Sequence, residues 1–195
     1  MRAPDRALVT AAAAMAFALA SAAPGARRAA AEIDGDQLVA PERGLRLELP
    51  RGWRASEVSA YPGIVVWLSR TQPHVTLLVT VDPVVGPCRD PLRFCDADPD
   101  AAINVLRQQL LAAGFQITAQ EASRVPELDY QAGDRYLRHA VLVEGNQVVS
   151  VILAADSPAL RAAQARVFER LALSIRALAP APRRPAEDER EIAPP

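Results

Sequence analysis

The most constraining feature of the chain is a hairpin signal whose flanking strands are apolar on both sides. A Gly-Asn dipeptide at 145–146 separates the runs 136–143 and 147–153, and such two-residue turns join antiparallel strands. Pairing Val143 with Val148 puts apolar side chains on both faces of the hairpin. Both faces then need cover from other elements. We therefore expect an antiparallel sheet with helices packed on both faces.

Periodic apolar residues predict the remaining elements. Strict alternation is typical of half-buried strands, and spacings of three and four are typical of amphipathic helices. The first helix begins at an Asp98 N-cap before Pro99, and the second begins with Ser157-Pro158. The predicted segments are strands over 44–50, 64–68, 74–81 and 116–122 and helices over 99–113 and 158–175.

The order of these elements predicts the fold class. Strands connected mainly by short links favour an antiparallel sheet over a doubly wound parallel one. The predicted class is therefore α+β, with residues 42–178 as a single domain. Residues 32–41 are expected to form a flexible N-terminal segment. Residues 179–195 contain five prolines and seven charged residues in 17, which predicts a disordered tail.

Residues 1–31 have the three parts of a secretory signal. Two arginines precede an uncharged apolar run over 7–20, and small residues follow it. The run has 14 residues, whereas a membrane-spanning helix needs about 20. Cleavage after residue 22 and cleavage after residue 31 both fit the pattern. We expect a periplasmic or secreted protein without an integral membrane segment once the signal is removed.

The charge balance argues against nucleic acid as a partner. All 22 cationic residues are arginines, and four of them lie in residues 1–31 together with one aspartate. The rest of the chain has 18 arginines against 22 acids. A mildly acidic chain with scattered arginines lacks the positive footprint that binds phosphate backbones.

The two cysteines, Cys88 and Cys95, lie seven positions apart in a proline-containing loop. In an oxidising compartment such a pair is most simply a disulfide. The alternative is a metal site, but zinc usually takes four ligands and no His or second Cys pair accompanies these two. We expect a disulfide, no metal and no cofactor.

The arrangement resembles the PsbP-like fold over residues 42–178. The motifs that resemble it are a strand ending in Pro50-Arg-Gly-Trp53, the paired strands, the middle helix, the Gly-Asn hairpin and a closing helix running into 168–175. That family includes extrinsic photosystem II subunits, a Ran-release factor and many exported bacterial proteins. The resemblance implies a three-layer α/β/α sandwich and a role as a non-catalytic binding or assembly factor. It implies no catalytic residues.

Two groups of residues invite a chemical interpretation. Asp96, Asp98 and Asp100 alternate as calcium ligands can, but the glycine and glutamate of an EF-hand loop are missing, and helix capping explains the last two. His74 and His139 are the only imidazoles, and no motif places a nucleophile beside either. We expect both histidines to be structural.

Trp53, Tyr61 and Trp67 could form an aromatic binding surface, although aromatic residues at such positions more often belong to the core or its rim. No Gly-x-Ser-x-Gly turn or glycine-rich phosphate loop is present. We therefore expect an exported, non-catalytic binding or accessory module of the bacterial envelope whose partner is another envelope protein. The alternatives are a small envelope hydrolase using His139 or His74, and a small-ligand or lipid carrier.

Overall fold

The computed structural model describes residues 31–56, 63–121 and 125–178. Most of the predicted signal peptide, Tyr61 and the predicted tail over 179–195 lie outside the described residues. The strands are β1 Glu32–Asp34, β2 Gln37–Ala40, β3 Leu45–Glu48, β4 Arg54–Ser56, β5 Ile64–Arg70, β6 Val75–Pro83, β7 Gln116–Glu121, β8 Glu127–Ala132, β9 Arg135–Glu144, β10 Gln147–Ala155 and β11 Arg176–Ala177. The α-helices are α1 Pro99–Ala112, α2 Pro158–Ala163 and α3 Ala165–Ser174, and a 3-10 turn spans Pro41–Arg43.

The strands form two antiparallel sheets. Seven strands pair in the order β4-β5-β6-β10-β9-β8-β7, and four pair in the order β1-β2-β3-β11. The predicted hairpin is β9–β10, and its register pairs Val143 with Val148 as expected. Gly145 has a φ of 63°, a left-handed conformation that glycine adopts without steric cost.

Alternate residues of β10 enter two separate hydrophobic clusters, because successive side chains of a strand point to opposite faces. Val149 and Val151 pack with residues of the four-stranded sheet and of α3, including Leu47 and Phe168. The other face packs against α1. That second cluster contains Ala102, Ile103, Leu106 and Leu110 of α1 with Leu128, Tyr130, Leu137, Val141 and Val148 of the sheet. Both faces of the hairpin are therefore covered.

The structure is α+β with antiparallel sheets, as predicted, but it differs from the simple three-layer α/β/α arrangement. A second sheet lies beside α3 on one face of the larger sheet. The strand expected over 44–50 belongs to this second sheet rather than to the main one. It pairs there with β2, so residues 32–40 form a hairpin of β1 and β2 and not the expected flexible segment.

The helix boundaries follow the predicted caps. Asp98 accepts a hydrogen bond from the Ala101 N–H at 2.7 Å and so caps α1, and Ser157 accepts one from the Leu160 N–H at 3.1 Å and caps α2. The predicted second helix is interrupted at Gln164, which separates α2 from α3. In the described ranges, no helix combines the length and apolar character needed to cross a membrane.

Candidate binding groove

A surface groove of about 740 Å³ lies between α3 and the four-stranded sheet. We call it the arginine groove, because four arginines from three elements line it. Its lining residues are Gln37, Arg46, Leu47, Glu48, Arg166, Glu169, Arg170, Leu173, Ser174 and Arg176.

Helix α3 supplies one wall because its sequence is strongly amphipathic. Phe168 and Leu171 are buried against the sheet. Arg166, Glu169 and Arg170 are exposed and line the groove. Arg166 and Arg170 are four residues apart, so they are neighbours on the same side of the helix. Because the apolar side of α3 is buried against the sheet, its charged side faces the groove.

Strand β3 supplies the opposite wall, because successive side chains of a strand point to opposite faces. Leu45 and Leu47 are buried, whereas Arg46 and Glu48 alternate with them and are exposed. Arg176 of β11 is the register partner of Arg46, so two guanidinium-bearing residues lie side by side on paired strands. Neighbouring strands lie about 4.8 Å apart.

Ser174 connects the two walls. Its hydroxyl accepts a hydrogen bond from the Glu48 N–H at 3.0 Å and donates one to the Leu171 carbonyl at 2.7 Å. The Arg176 guanidinium donates to the Leu173 carbonyl at 2.7 Å, so its position is also fixed. These bonds hold the end of α3 against β3. The groove is therefore a preformed feature rather than a gap between loosely associated elements.

The groove is positively charged in a chain whose predicted mature part is acidic. Four guanidinium groups face two carboxylates, an excess of two positive charges. In the described part of the chain, no carboxylate lies within salt-bridge distance of Arg46, Arg166 or Arg170. Arginine binds carboxylate and phosphate through paired N–H donors. The groove can therefore hold anionic groups but offers few ligands for a cation.

A different group of charges is buried on the larger sheet. Asp129 is 3% exposed and accepts hydrogen bonds from Arg138 Nε at 2.8 Å and Nη2 at 3.0 Å. Arg161 of α2 contacts the same carboxylate at 2.8 Å, and Glu127 lies 3.3 Å from Arg138. We call these four residues the buried ion network. It joins β8, β9 and α2, and its charged groups pair with one another.

His139 lies inside the second hydrophobic cluster and not in a cleft. It is 2% exposed, and its ring centroid lies 6.3 Å from that of Tyr130. Among the residues that the structure describes, neither ring nitrogen has a hydrogen-bond partner. Burial lowers the pKa of the imidazole to about 3. The side chain is therefore buried away from dissolved substrates.

His74 lies at the opposite end of the sheet from the Gly-Asn turn. Its imidazole is half exposed and lies 3.4 Å from Asp156 and 3.2 Å from Arg135. The buried Arg135 also contacts Asp156 at 2.9 Å and donates to the Ala154 carbonyl. The carboxylate nearest to His74 is therefore shared with a guanidinium, which leaves it less available to orient an imidazole for catalysis.

The other candidate residues are distributed over the domain. Cys88 and Cys95 form the expected disulfide, with Cα atoms 5.4 Å apart. Trp53 packs against the first cluster, whereas Trp67 alternates with Val66 and Leu68 of that cluster and points to the other face of the sheet. The structure therefore does not bring the two tryptophans together.

The three aspartates of the calcium interpretation lie around the start of α1, where Asp98 caps the helix. Within residues 31–56, 63–121 and 125–178, no three His, Cys, Asp or Glu side chains converge as the ligands of a metal ion do. The capping interpretation accounts for Asp98, and it places Asp100 in the first turn, where a negative charge is favourable.

The arginine groove was not predicted from the sequence. The signals were present locally: Arg46 and Glu48 alternate with buried leucines, and Arg166 and Arg170 have helical spacing. Nothing in the local sequence indicated that these two patterns would face each other, because Glu48 and Ser174 are 126 residues apart.

The fold and the groove define an α+β protein of antiparallel sheets with a basic surface site. No protein-family model matches the chain, and a search of curated proteins finds no match. Among solved structures, the chain is similar to cyanobacterial PsbP (CyanoP) from Synechocystis sp. PCC 6803, determined in solution. The TM-score is 0.49 and the identity 16%, over 80% of this chain and 98% of that one. This is the PsbP-like resemblance expected from the sequence, and at this identity it concerns the fold alone.

Proposed function

We propose that the protein is an exported, non-catalytic binding or assembly module of the bacterial envelope that holds an acidic segment of a partner protein in the arginine groove. The observation that supports this proposal most is the placement of four arginines from α3, β3 and β11 around one preformed groove. A peptide bearing several carboxylates fits this charge pattern, because each carboxylate can accept a pair of N–H donors from one guanidinium.

Export is supported by two features. The N-terminal sequence has the order of a secretory signal, and the Cys88–Cys95 disulfide fits an oxidising compartment. We place the mature protein in the periplasm or the extracellular medium. The arginine groove is open at the surface between α3 and the four-stranded sheet, which suits a segment of a partner protein.

The alternatives expected from the sequence receive less support. His139 is buried and has no polar partner among the described residues, which does not suit a hydrolase base. An apolar or lipid ligand would need an apolar cavity, whereas the arginine groove is lined mostly by polar and charged side chains. Binding of an acidic segment requires only what the groove contains.

Charge reversal tests the proposal. The variant Arg166→Glu/Arg170→Glu places two negative charges in the groove, and the matched control Arg54→Glu/Arg70→Glu changes two exposed arginines outside it by the same amount. The probe is a fluorescein-labelled octaglutamate peptide, and its binding is measured by fluorescence anisotropy. At about 1 kcal/mol for each reversed contact, the groove variant should bind about 30-fold more weakly than the wild type.

The control should keep the wild-type affinity to within about threefold, because it alters only the overall charge. Binding to the wild type should also weaken between 50 and 300 mM salt, since the contacts are exposed to solvent. Equal loss of affinity in both double variants would show that the peptide responds to net charge and not to the groove, and the proposal would be wrong.

A further inference from the structure

Two glutamates lie among the arginines of the arginine groove, one on each wall. Glu48 of β3 is on the same outward face as Arg46, and Glu169 of α3 lies three residues after Arg166. In the part of the chain that the structure describes, neither carboxylate lies within salt-bridge distance of a guanidinium. Both negative charges are therefore available to a segment that binds in the groove.

We infer that the groove selects a partner segment in which a lysine or arginine interrupts the acidic residues, and that Glu48 and Glu169 determine this selectivity. The inference rests on the proposed function, because it specifies the sequence of the acidic segment that the groove would hold. The arginines attract the segment as a whole. The two glutamates pair with its basic residues and repel an unbroken run of carboxylates.

The backbone holds both glutamates at the groove. The Glu48 N–H donates to the Ser174 hydroxyl at 3.0 Å, and Glu48 is the register partner of Gln37 of β2, which also lines the groove. Glu169 follows Phe168, which is buried in the first hydrophobic cluster. Both carboxylates are therefore part of the groove wall whenever the domain is folded.

Opposite charges alternate over a short distance along both walls. Residues two apart on a strand are separated by about 6.6 Å, as Arg46 and Glu48 are. Residues three apart on a helix, such as Arg166 and Glu169, have Cβ atoms about 5–6 Å apart. An extended segment with an acid and a base two positions apart has the same spacing as Arg46 and Glu48, so it can pair with both. A run of acids instead brings a carboxylate against a glutamate.

Two fluorescein-labelled peptides of equal composition test the inference. The interrupted peptide is Glu-Glu-Lys-Glu-Glu-Lys-Glu-Glu, and the block peptide is Lys-Glu-Glu-Glu-Glu-Glu-Glu-Lys. Because both carry the same net charge, overall attraction to the groove does not distinguish them. Fluorescence anisotropy with the full chain should give a Kd about fivefold lower for the interrupted peptide, since it gains two exposed ion pairs with the glutamates.

Neutralising the two glutamates should remove the preference. Glu48→Gln/Glu169→Gln should bind the two peptides equally to within about twofold, and it should bind the block peptide more tightly than the wild type does, because two repulsive charges are gone. That gain distinguishes lost selectivity from a folding defect, which would weaken the binding of both peptides. The control Asp96→Asn/Asp134→Asn removes two exposed carboxylates outside the groove and should keep the preference of the wild type.

The outcomes separate this inference from the proposed function. Equal affinities of the wild type for the two peptides, with binding lost in Arg166→Glu/Arg170→Glu, would overturn the inference and still support the groove as the site for an acidic segment. A preference that persists in Glu48→Gln/Glu169→Gln would also overturn the inference. If the wild type bound neither peptide nor the octaglutamate probe, both the inference and the proposed function would be wrong.

Discussion

The buried ion network makes a quantitative prediction about stability. Asp129 is almost fully buried and accepts hydrogen bonds from Arg138 and Arg161. Removing one partner of a buried ion pair costs about 3–5 kcal/mol, because the remaining charge is left without compensation. In Asp129→Asn, Arg138 retains Glu127 at 3.3 Å, so we expect a loss at the lower end, about 3 kcal/mol.

Urea unfolding followed by circular dichroism measures this loss. With an m-value of about 2 kcal/mol/M, a loss of 3 kcal/mol lowers the midpoint by about 1.5 M. The control Asp134→Asn makes the same chemical change at an exposed position in the β8–β9 turn and should leave the midpoint within about 0.3 M of the wild type. A midpoint for Asp129→Asn equal to that of the control would refute the assignment of Asp129 as the centre of a buried network.

Three further predictions concern single features. When the pH falls from 7.5 to 5, the free energy of unfolding of the wild type should decrease by about 2 kcal/mol more than that of His139→Leu. The reason is that the imidazole of the unfolded chain takes up a proton below pH 6.5, whereas the buried imidazole of the folded chain, with a pKa of about 3, does not. Equal decreases in the urea midpoints of the two proteins would contradict this. Replacing Cys88 and Cys95 with serine should cost about 2.5 kcal/mol by chain entropy, and an unchanged melting temperature would contradict that. Asp98→Ala should cost about 1 kcal/mol because Asp98 no longer accepts a hydrogen bond from the Ala101 N–H, measured by urea unfolding against the exposed control Asp134→Ala.

The parts of the fold that local physics determines were predictable from the sequence. The hairpin around Gly145 combines a turn that requires a left-handed residue with strands of matching period. The start of α1 is specified by Asp98 and Pro99, whose capping role does not depend on distant residues. In both places the sequence and the tertiary structure favour the same conformation.

Elements that depend on distant partners were not predictable in the same way. Strand β8 carries Glu127 and Asp129, and the local sequence alone favours exposure of both acids to solvent. Both are buried, because β9 and α2 supply arginines that pair with them. The β1–β2 hairpin is short, and it is stabilised by pairing with β3 and by burial of Leu38 and Ala40 in the first cluster. The arginine groove depends on the approach of α3 to β3, which the local periodicity of neither element indicates.

The four-stranded sheet also determines when the domain can close during synthesis. Its β3 strand pairs with β2 near the start of the described chain and with β11 at the end of it. The cluster around α1 contains no residue beyond Ala154, whereas the other cluster needs Phe168, Leu171 and Ile175. Because the chain is synthesised from its N-terminus, the first hydrophobic cluster stays exposed until almost the last residue of the domain has been made. If the protein is exported as we propose, this late closure would lengthen the time in which the unfolded chain can enter the export route.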